Sequence, residues 1–174
     1  IPVAEIPEAL ALRASHPDAL LAGERDGLRI TAAQSGGVEF DLGNSPREYT
    51  SERIRGRTII STTTNGTRAL RACVSAQAVA VASFQNLSAT ANWLARLSPQ
   101  PIVLVCAGTA AFPALEDILC AGALCESLEG ERADSAETAR RSYREAADNL
   151  MTAVAGSCNG RRLLAKSELR EDVE

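Results

Sequence analysis

The chain has 174 residues, 45% apolar and 23% charged, with a formal net charge of −4 and a pI near 5.2. Such a composition excludes disorder, collagen-like repeats and low complexity, and its length suits one domain, 1–174. Aromatic residues make up only 3%, so the core is aliphatic; the acidic balance and scarce stacking surfaces argue against a nucleic-acid partner.

The apolar spacing predicts a helix over 6–14 with Pro7 at its start. Ala19-Leu20-Leu21-Ala22 reads as a short buried strand ended by Gly23. A charged turn, Glu24-Arg25-Asp26-Gly27, opens irregular chain to Gly43. Asn44-Ser45-Pro46 predicts a helix start with Ser45 as cap and Glu48 at the third position. Arg57 to Ser61 is a β-branched strand running into Thr62-Thr63-Thr64-Asn65-Gly66-Thr67, then a helix over about 68–74. Strands over 78–83 and 102–106 alternate with a helix over 86–97. Helices over 115–128 and 135–155 follow, with a last short one after Gly160. Apolar strands without polar alternation, joined by helices, predict a three-layer α/β/α sandwich with a mainly parallel sheet.

No apolar run approaches the ~20 residues of a membrane helix, and no signal-peptide pattern or initial Met opens the sequence. Cys73, Cys106, Cys120, Cys125 and Cys158 contain no C-x-x-C pair, and their odd number suits neither a disulfide framework nor a zinc site. They read as free thiols of a reducing compartment, the cytoplasm. His16 is the only histidine and lies in the polar stretch Ser15-His16-Pro17-Asp18, so a Ser-His-Asp or Cys-His mechanism has little to build on. There is no Walker P-loop, and Cys158 and Arg161 lie too close for a cysteine-phosphatase loop.

In open α/β sheets, ligands bind beyond the carboxyl ends of the strands. Here those ends are Gly23-Glu24-Arg25, Ser61 to Thr67, Ser83-Phe84-Gln85-Asn86 and Cys106-Ala107-Gly108-Thr109, all small or polar. Four threonines and an asparagine between a strand and a helix form an anion site or a redundant cap. Glu116-Asp117, one turn into a helix, is either a dipole partner or a Mg²⁺ site of the kind that takes one or two carboxylates plus water and phosphate. The paired Arg161-Arg162 clamp an anion or are surface charges.

Taken in order, Gly23-Glu24-Arg25, Gly43-Asn44-Ser45-Pro46-x-x-Tyr49, the Thr62–Thr67 string, Cys106-Ala107-Gly108-Thr109, Leu115-Glu116-Asp117 with Cys120-Ala121-Gly122, and Ser157-x-Asn159-Gly160-Arg161-Arg162-Leu163 resemble the 2-phosphosulfolactate phosphatase family over nearly the whole chain. The resemblance implies Mg²⁺-dependent hydrolysis of (2R)-2-phospho-3-sulfolactate to 3-sulfolactate and phosphate, a step towards coenzyme M. It implies that Glu116, with Glu24 or Asp117, holds Mg²⁺ and serves catalysis. Thr62, Thr63, Thr64, Asn65, Gly66, Thr67, Asn44, Gly108 and Thr109 would bind phosphate and substrate, and Arg25 and Arg161 would offset the substrate's charge. The resemblance also implies a strand and an I-D-x-x-R-A-[ST]-like loop before Ile1 and a strand after Val173, both lacking here. Its partner is a small phosphorylated acid; no membrane partner is expected, and a homodimer is compatible with the sequence without being required by it. Alternatives are a phosphatase of another small acidic ester and a non-catalytic anion-binding module.

Overall fold

The computed structural model describes residues 1–98 and 101–173. They fall into two compact units, Ile1–Ser75 with Leu163–Asp172, and Ala76–Arg162 with Val173.

The first unit opens with α1, Ile6–Ser15, which has a proline in its first turn, where the missing N–H costs nothing. Its Ala9 is fully buried, and Ile6, Leu10 and Leu12 pack against a core of Val3, Ala19, Leu21, Ile30, Phe40 and Ile60. Strand β1, Leu20–Arg25, is buried along its central four residues. It pairs antiparallel with β2, Leu28–Arg29, and parallel with β3, Ile59–Thr62, giving the order β2-β1-β3. In the parallel ladder Leu20 lies opposite Ile59 and Gly23 opposite Thr62. A Cβ on Gly23 would stand 2.2 Å from the Thr62 carbonyl oxygen, so only glycine permits this approach of backbone to backbone. Two short helices, α2 (Ala32–Ser35) and α3 (Ser51–Ile54), precede β3, and α4 (Gly66–Ala72) follows it. The 163–172 segment is tied to this unit by Asp172, which accepts hydrogen bonds from Ser45 Oγ (2.7 Å) and Arg47 Nε (2.8 Å).

The second unit is helical: α5 (Leu87–Leu97), α6 (Leu115–Ser127), α7 (Asp134–Ala146), α8 (Leu150–Ala155) and α9 (Cys158–Leu164), whose last two residues belong to the first unit. Leu119, Gly122, Ala123, Leu124 and Cys125 form the buried stripe of α6. At Gly122 the helix meets α7 so closely that a Cβ would lie 2.1 Å from the Ala139 carbonyl oxygen. Arg132 closes the carboxyl end of α6 by donating to the carbonyls of Cys125 and Leu128, which no helical N–H can reach. Arg140 and Arg141 hold the Glu137 carboxyl down at about 2, and Glu126 pairs with Arg140 and Arg144.

The α/β class is as expected; the described residues form a small mixed sheet of three strands, in which β1 and β3 pair in parallel. Residues 78–83 and 102–106, expected as strands, belong to no ladder among the described residues. Val81 is 66% exposed and Val103 76%. An apolar β-branched run sets a strand's preference, whereas a ladder needs a partner backbone, which local sequence does not supply. The turn after β1 is narrower than expected. Glu24 and Arg25 stay in the strand, and Asp26-Gly27, at φ of 58° and 80°, makes the two-residue hairpin that Asp-Gly favours. Ser45 stands at the cap position with Pro46 first and Glu48 third, as expected, but its hydroxyl goes to Asp172 instead of capping, and Pro46–Glu48 is a single 3-10 turn. The helix expected over 135–155 breaks at Ala147–Asn149, where Asp148 and Asn149 are poor interior helix formers. The last helix begins at Cys158, ahead of Gly160.

Candidate functional site

In the first unit, β3 delivers the chain into the threonine loop and Glu24 at the end of β1 holds that loop. Glu24 is buried; one carboxylate oxygen accepts the Thr64 N–H at 2.7 Å and the other the Gly27 N–H at 2.8 Å. A carboxylate that takes two backbone donors is a brace between the hairpin and the loop. Thr63 and Thr67 cap each other: each backbone N–H donates to the other's hydroxyl oxygen at 3.0 Å. Thr62 is fully buried, donates its hydroxyl to the Ala4 carbonyl at 3.1 Å and accepts Arg25 Nη2 at 3.2 Å. Arg25 Nη1 turns back to the Glu24 carbonyl at 2.7 Å. Of the two readings of the string, capping therefore accounts for the hydroxyls of Thr63 and Thr67, and Thr62 for a contact to α1's approach. Thr64 is left exposed at the tip with half-buried Asn65 and exposed Gly66. Asn44 is exposed on the 43–49 turn, which Tyr49 closes by donating to the Gly43 carbonyl at 3.0 Å. Thr67→Val, which keeps the shape and deletes one side of the mutual cap, is expected to cost about 1 kcal/mol in urea denaturation.

The second unit holds the other group. A tight loop brings Gly108 and Thr109 over the first turn of α6. Thr109 N–H donates to the Phe112 carbonyl at 2.9 Å and Phe112 N–H returns to the Thr109 carbonyl at 3.1 Å. Gly108 has φ of 70°, and a Cβ there would meet the Phe112 carbonyl oxygen at 2.6 Å, so the loop requires glycine twice over. Gly108 N–H donates to Asp117 at 2.7 Å. Asn159, at the start of α9, donates from its amide nitrogen to Glu116 Oε1 and, at 2.7 Å, to Thr109 Oγ1. Glu116 Oε2 is buried and has no hydrogen-bond partner among the described residues. Buried carboxylate oxygens are normally paired, since leaving one unpaired costs a few kcal/mol on the order of its desolvation. Such an atom invites a cation or a donor. Arg161 is exposed; its guanidinium bonds locally to the Gly156 carbonyl and lies 3.6 Å from Cys158 Sγ.

Burial pushes the Asp117 carboxyl above its ordinary value; the Gly108 N–H opposes this and the neighbouring Glu116 charge adds to it. The same burial, with the Asp117 charge, raises the thiols of Cys106 and Cys120. A carboxyl whose folded pKa lies above its unfolded one destabilises the fold when ionised. The cost is complete above the folded pKa and vanishes below the unfolded value near 3.8. Asp117→Asn keeps the acceptor for Gly108 and removes the charge. The variant is expected to melt above the parent at pH 7, with the gap closing as pH falls through the folded pKa, a comparison made by thermal melts across pH.

Glu24, Arg25 and the Thr62–Thr67 loop thus come together in one unit, and Gly108, Thr109, Glu116 and Asp117 in the other. Sequence reasoning did not assign Asn159 a role; the available signal was its place in Ser157-x-Asn159-Gly160, a cap followed by a glycine. Among the described residues no group of three or more His, Cys, Asp or Glu is placed to hold a metal. Glu116 and Asp117 instead fit the sparse mode of Mg²⁺, which takes one or two carboxylates and keeps several waters. No helix among the described residues is long and apolar enough to cross a membrane.

Comparison with known proteins supplies the family. The 2-phosphosulpholactate phosphatase family model matches residues 1–174. A "Probable 2-phosphosulfolactate phosphatase" of Thermotoga petrophila is 41% identical over 175 residues, covering all of this chain and 71% of that relative. Its counterpart in Caldanaerobacter subterraneus subsp. tengcongensis is 44% identical over 131 residues, 74% of this chain and 51% of the relative. A protein of the same description from Thermotoga maritima is 39% identical over 175 residues, again all of this chain and 71% of the relative. The matches thus span from about half to under three quarters of these relatives' lengths. With the match running from the first residue to the last, the chain belongs to the 2-phosphosulpholactate phosphatase family.

Proposed function

We propose that the protein is a Mg²⁺-dependent phosphatase that hydrolyses 2-phosphosulfolactate to 3-sulfolactate and phosphate, the step towards coenzyme M that the family resemblance implies. The observation that carries the reading is the Glu116 carboxylate: one oxygen is fixed by Asn159 and the other is buried without a partner. Glu116, with Asp117 beside it, would hold the metal; Mg²⁺ there would neutralise phosphoryl oxygens and lower the pKa of a bound water. Asp117 is kept in place by the Gly108 N–H, and Thr109 accepts from Asn159, so its own hydroxyl hydrogen is free to be donated elsewhere. In the first unit, Glu24 fixes the threonine loop, whose exposed tip at Thr64 is the part available to an anion. The substrate combines phosphate, sulfonate and carboxylate, and Arg161, in the same unit as Glu116, would offset that charge. The reading carries with it the three-layer sandwich with a mainly parallel sheet, supported by the parallel pairing of β1 with β3. Five free cysteines support a reducing, cytoplasmic setting.

A panel of phosphate esters tests the substrate. 2-Phosphosulfolactate is expected to exceed 2-phospholactate, which lacks the sulfonate, by at least about tenfold in kcat/KM, as loss of one charge-paired group implies. Equal rates would move the assignment to another small acidic ester, and no turnover of any ester would leave an anion-binding module.

A further inference from the structure

We infer that Asn159 is a positioning residue whose side-chain amide forks between Glu116 and Thr109 and thereby sets the carboxylate and the hydroxyl of the reaction site in one arrangement. The inference rests on the proposed phosphatase reading for its consequence and on the geometry of the second unit for its existence. A carboxylate only accepts hydrogen bonds, so the group that Asn159 turns to Glu116 is its NH₂, which has two hydrogens to give. One goes to Glu116 Oε1 and the other, at 2.7 Å, to Thr109 Oγ1. Both acceptors are thereby oriented. Glu116 cannot rotate without losing its donor, so its partnerless Oε2 stays where it is.

Local sequence fixes the amide itself. Ser157 is buried and its hydroxyl oxygen accepts the Gly160 N–H at 2.9 Å, starting α9 one residue before Asn159's turn is complete. Gly160 is pressed onto the end of α8: a Cβ there would lie 2.0 Å from the Val154 carbonyl oxygen. With the residues on either side held by a cap and a close contact, Asn159 has little freedom. The Ser-x-Asn-Gly spacing thus acquires a physical reason.

The test is Asn159→Asp, which keeps the size and replaces a donor by a like-charged acceptor, beside Asn159→Ala. Both are expected to lower kcat about 10- to 100-fold with a smaller change in KM, the size typical of residues that orient a metal or catalytic ligand. In a Glu116→Gln background Asn159→Ala is expected to add about twofold or less, because Asn159 acts through the Glu116 carboxylate, whose charge Gln has already removed. Wild-type kinetics in Asn159→Asp, or full additivity with Glu116→Gln, would overturn the inference. Should the parent protein fail to hydrolyse 2-phosphosulfolactate, the substrate assignment falls alone and the fork is read by NMR. The Asn159 side-chain amide resonances are expected to shift on Glu116→Gln and on Thr109→Val. Resonances unmoved by either change would overturn the inference independently of activity.

Discussion

Glu116→Gln is expected to lower phosphatase turnover by at least about 100-fold, the scale on which one charged group at a phosphoryl-transfer or metal site counts. The fold is expected to survive, because Gln has the same shape and its amide oxygen still accepts from Asn159. The sign of the stability change is the informative part. Glu116 Oε2 is buried with no hydrogen-bond partner among the described residues, so replacing it removes no hydrogen bond of the fold. Removing the charge is expected to leave the melting temperature unchanged or to raise it. A loss of activity with no loss of stability marks a group retained for chemistry. A large fall in melting temperature together with activity would mean that Glu116 is a structural acceptor, and wild-type turnover would mean that it has no role in the reaction.

Gly122→Ala is expected to be strongly destabilising to the second unit. The added methyl would overlap the Ala139 carbonyl oxygen at 2.1 Å, its carbonyl carbon at 2.7 Å and Tyr143 Cβ at 2.7 Å. Two of these are backbone atoms that cannot rotate away, so α6 and α7 must move apart and the stripe of Leu119, Ala123 and Leu124 loses contact. Overpacking of this kind costs about 3 kcal/mol. For a chain of this size that lowers the melting temperature by roughly 6–12 °C. Gly36 provides the contrast: its φ of 77° strains any side chain, but a Cβ there meets nothing within 4 Å, so only the backbone cost of about 1 kcal/mol is expected. Equal melting temperatures for Gly122→Ala and the parent would mean that the two helices are not in close contact.

The elements legible in the sequence were those that carry their own information. The helix at 6–15, with its proline at the start, and the helices of 87–97 and 115–127 need only spacing and end signals. The buried run Leu20-Leu21-Ala22 found its place in β1 because its partner, Ile59 to Thr62, is an equally plain β-branched run. The Asp26-Gly27 hairpin was written in the sequence as a charged turn; the preference of Asp-Gly for paired positive φ was the signal passed over. The runs at 78–83 and 102–106 look as much like strands as β3 does, yet no ladder among the described residues takes them, because pairing belongs to two segments and not to one.

The site divides along the same line. The hydroxyl-rich loop stood out by composition, but composition does not say which hydroxyls face inward. Thr62, Thr63 and Thr67 spend theirs on the fold, and that became visible only with Glu24, Arg25 and Ala4 in position. Glu116 and Asp117 were equally plausible as dipole partners from the sequence. What separates them is that Asp117 is anchored by Gly108 while Glu116 keeps a buried, partnerless oxygen. Asn159 lies 43 residues from Glu116 and 50 from Thr109, a separation across which no periodicity speaks.

Phosphate release from 2-phosphosulfolactate, followed with Mg²⁺ and with EDTA in the parent and in Glu116→Gln, tests the central claim most directly. The account predicts release by the parent that EDTA abolishes and Mg²⁺ restores, and little release by the variant under either condition. Release that is indifferent to EDTA, or equal in the two proteins, would contradict it.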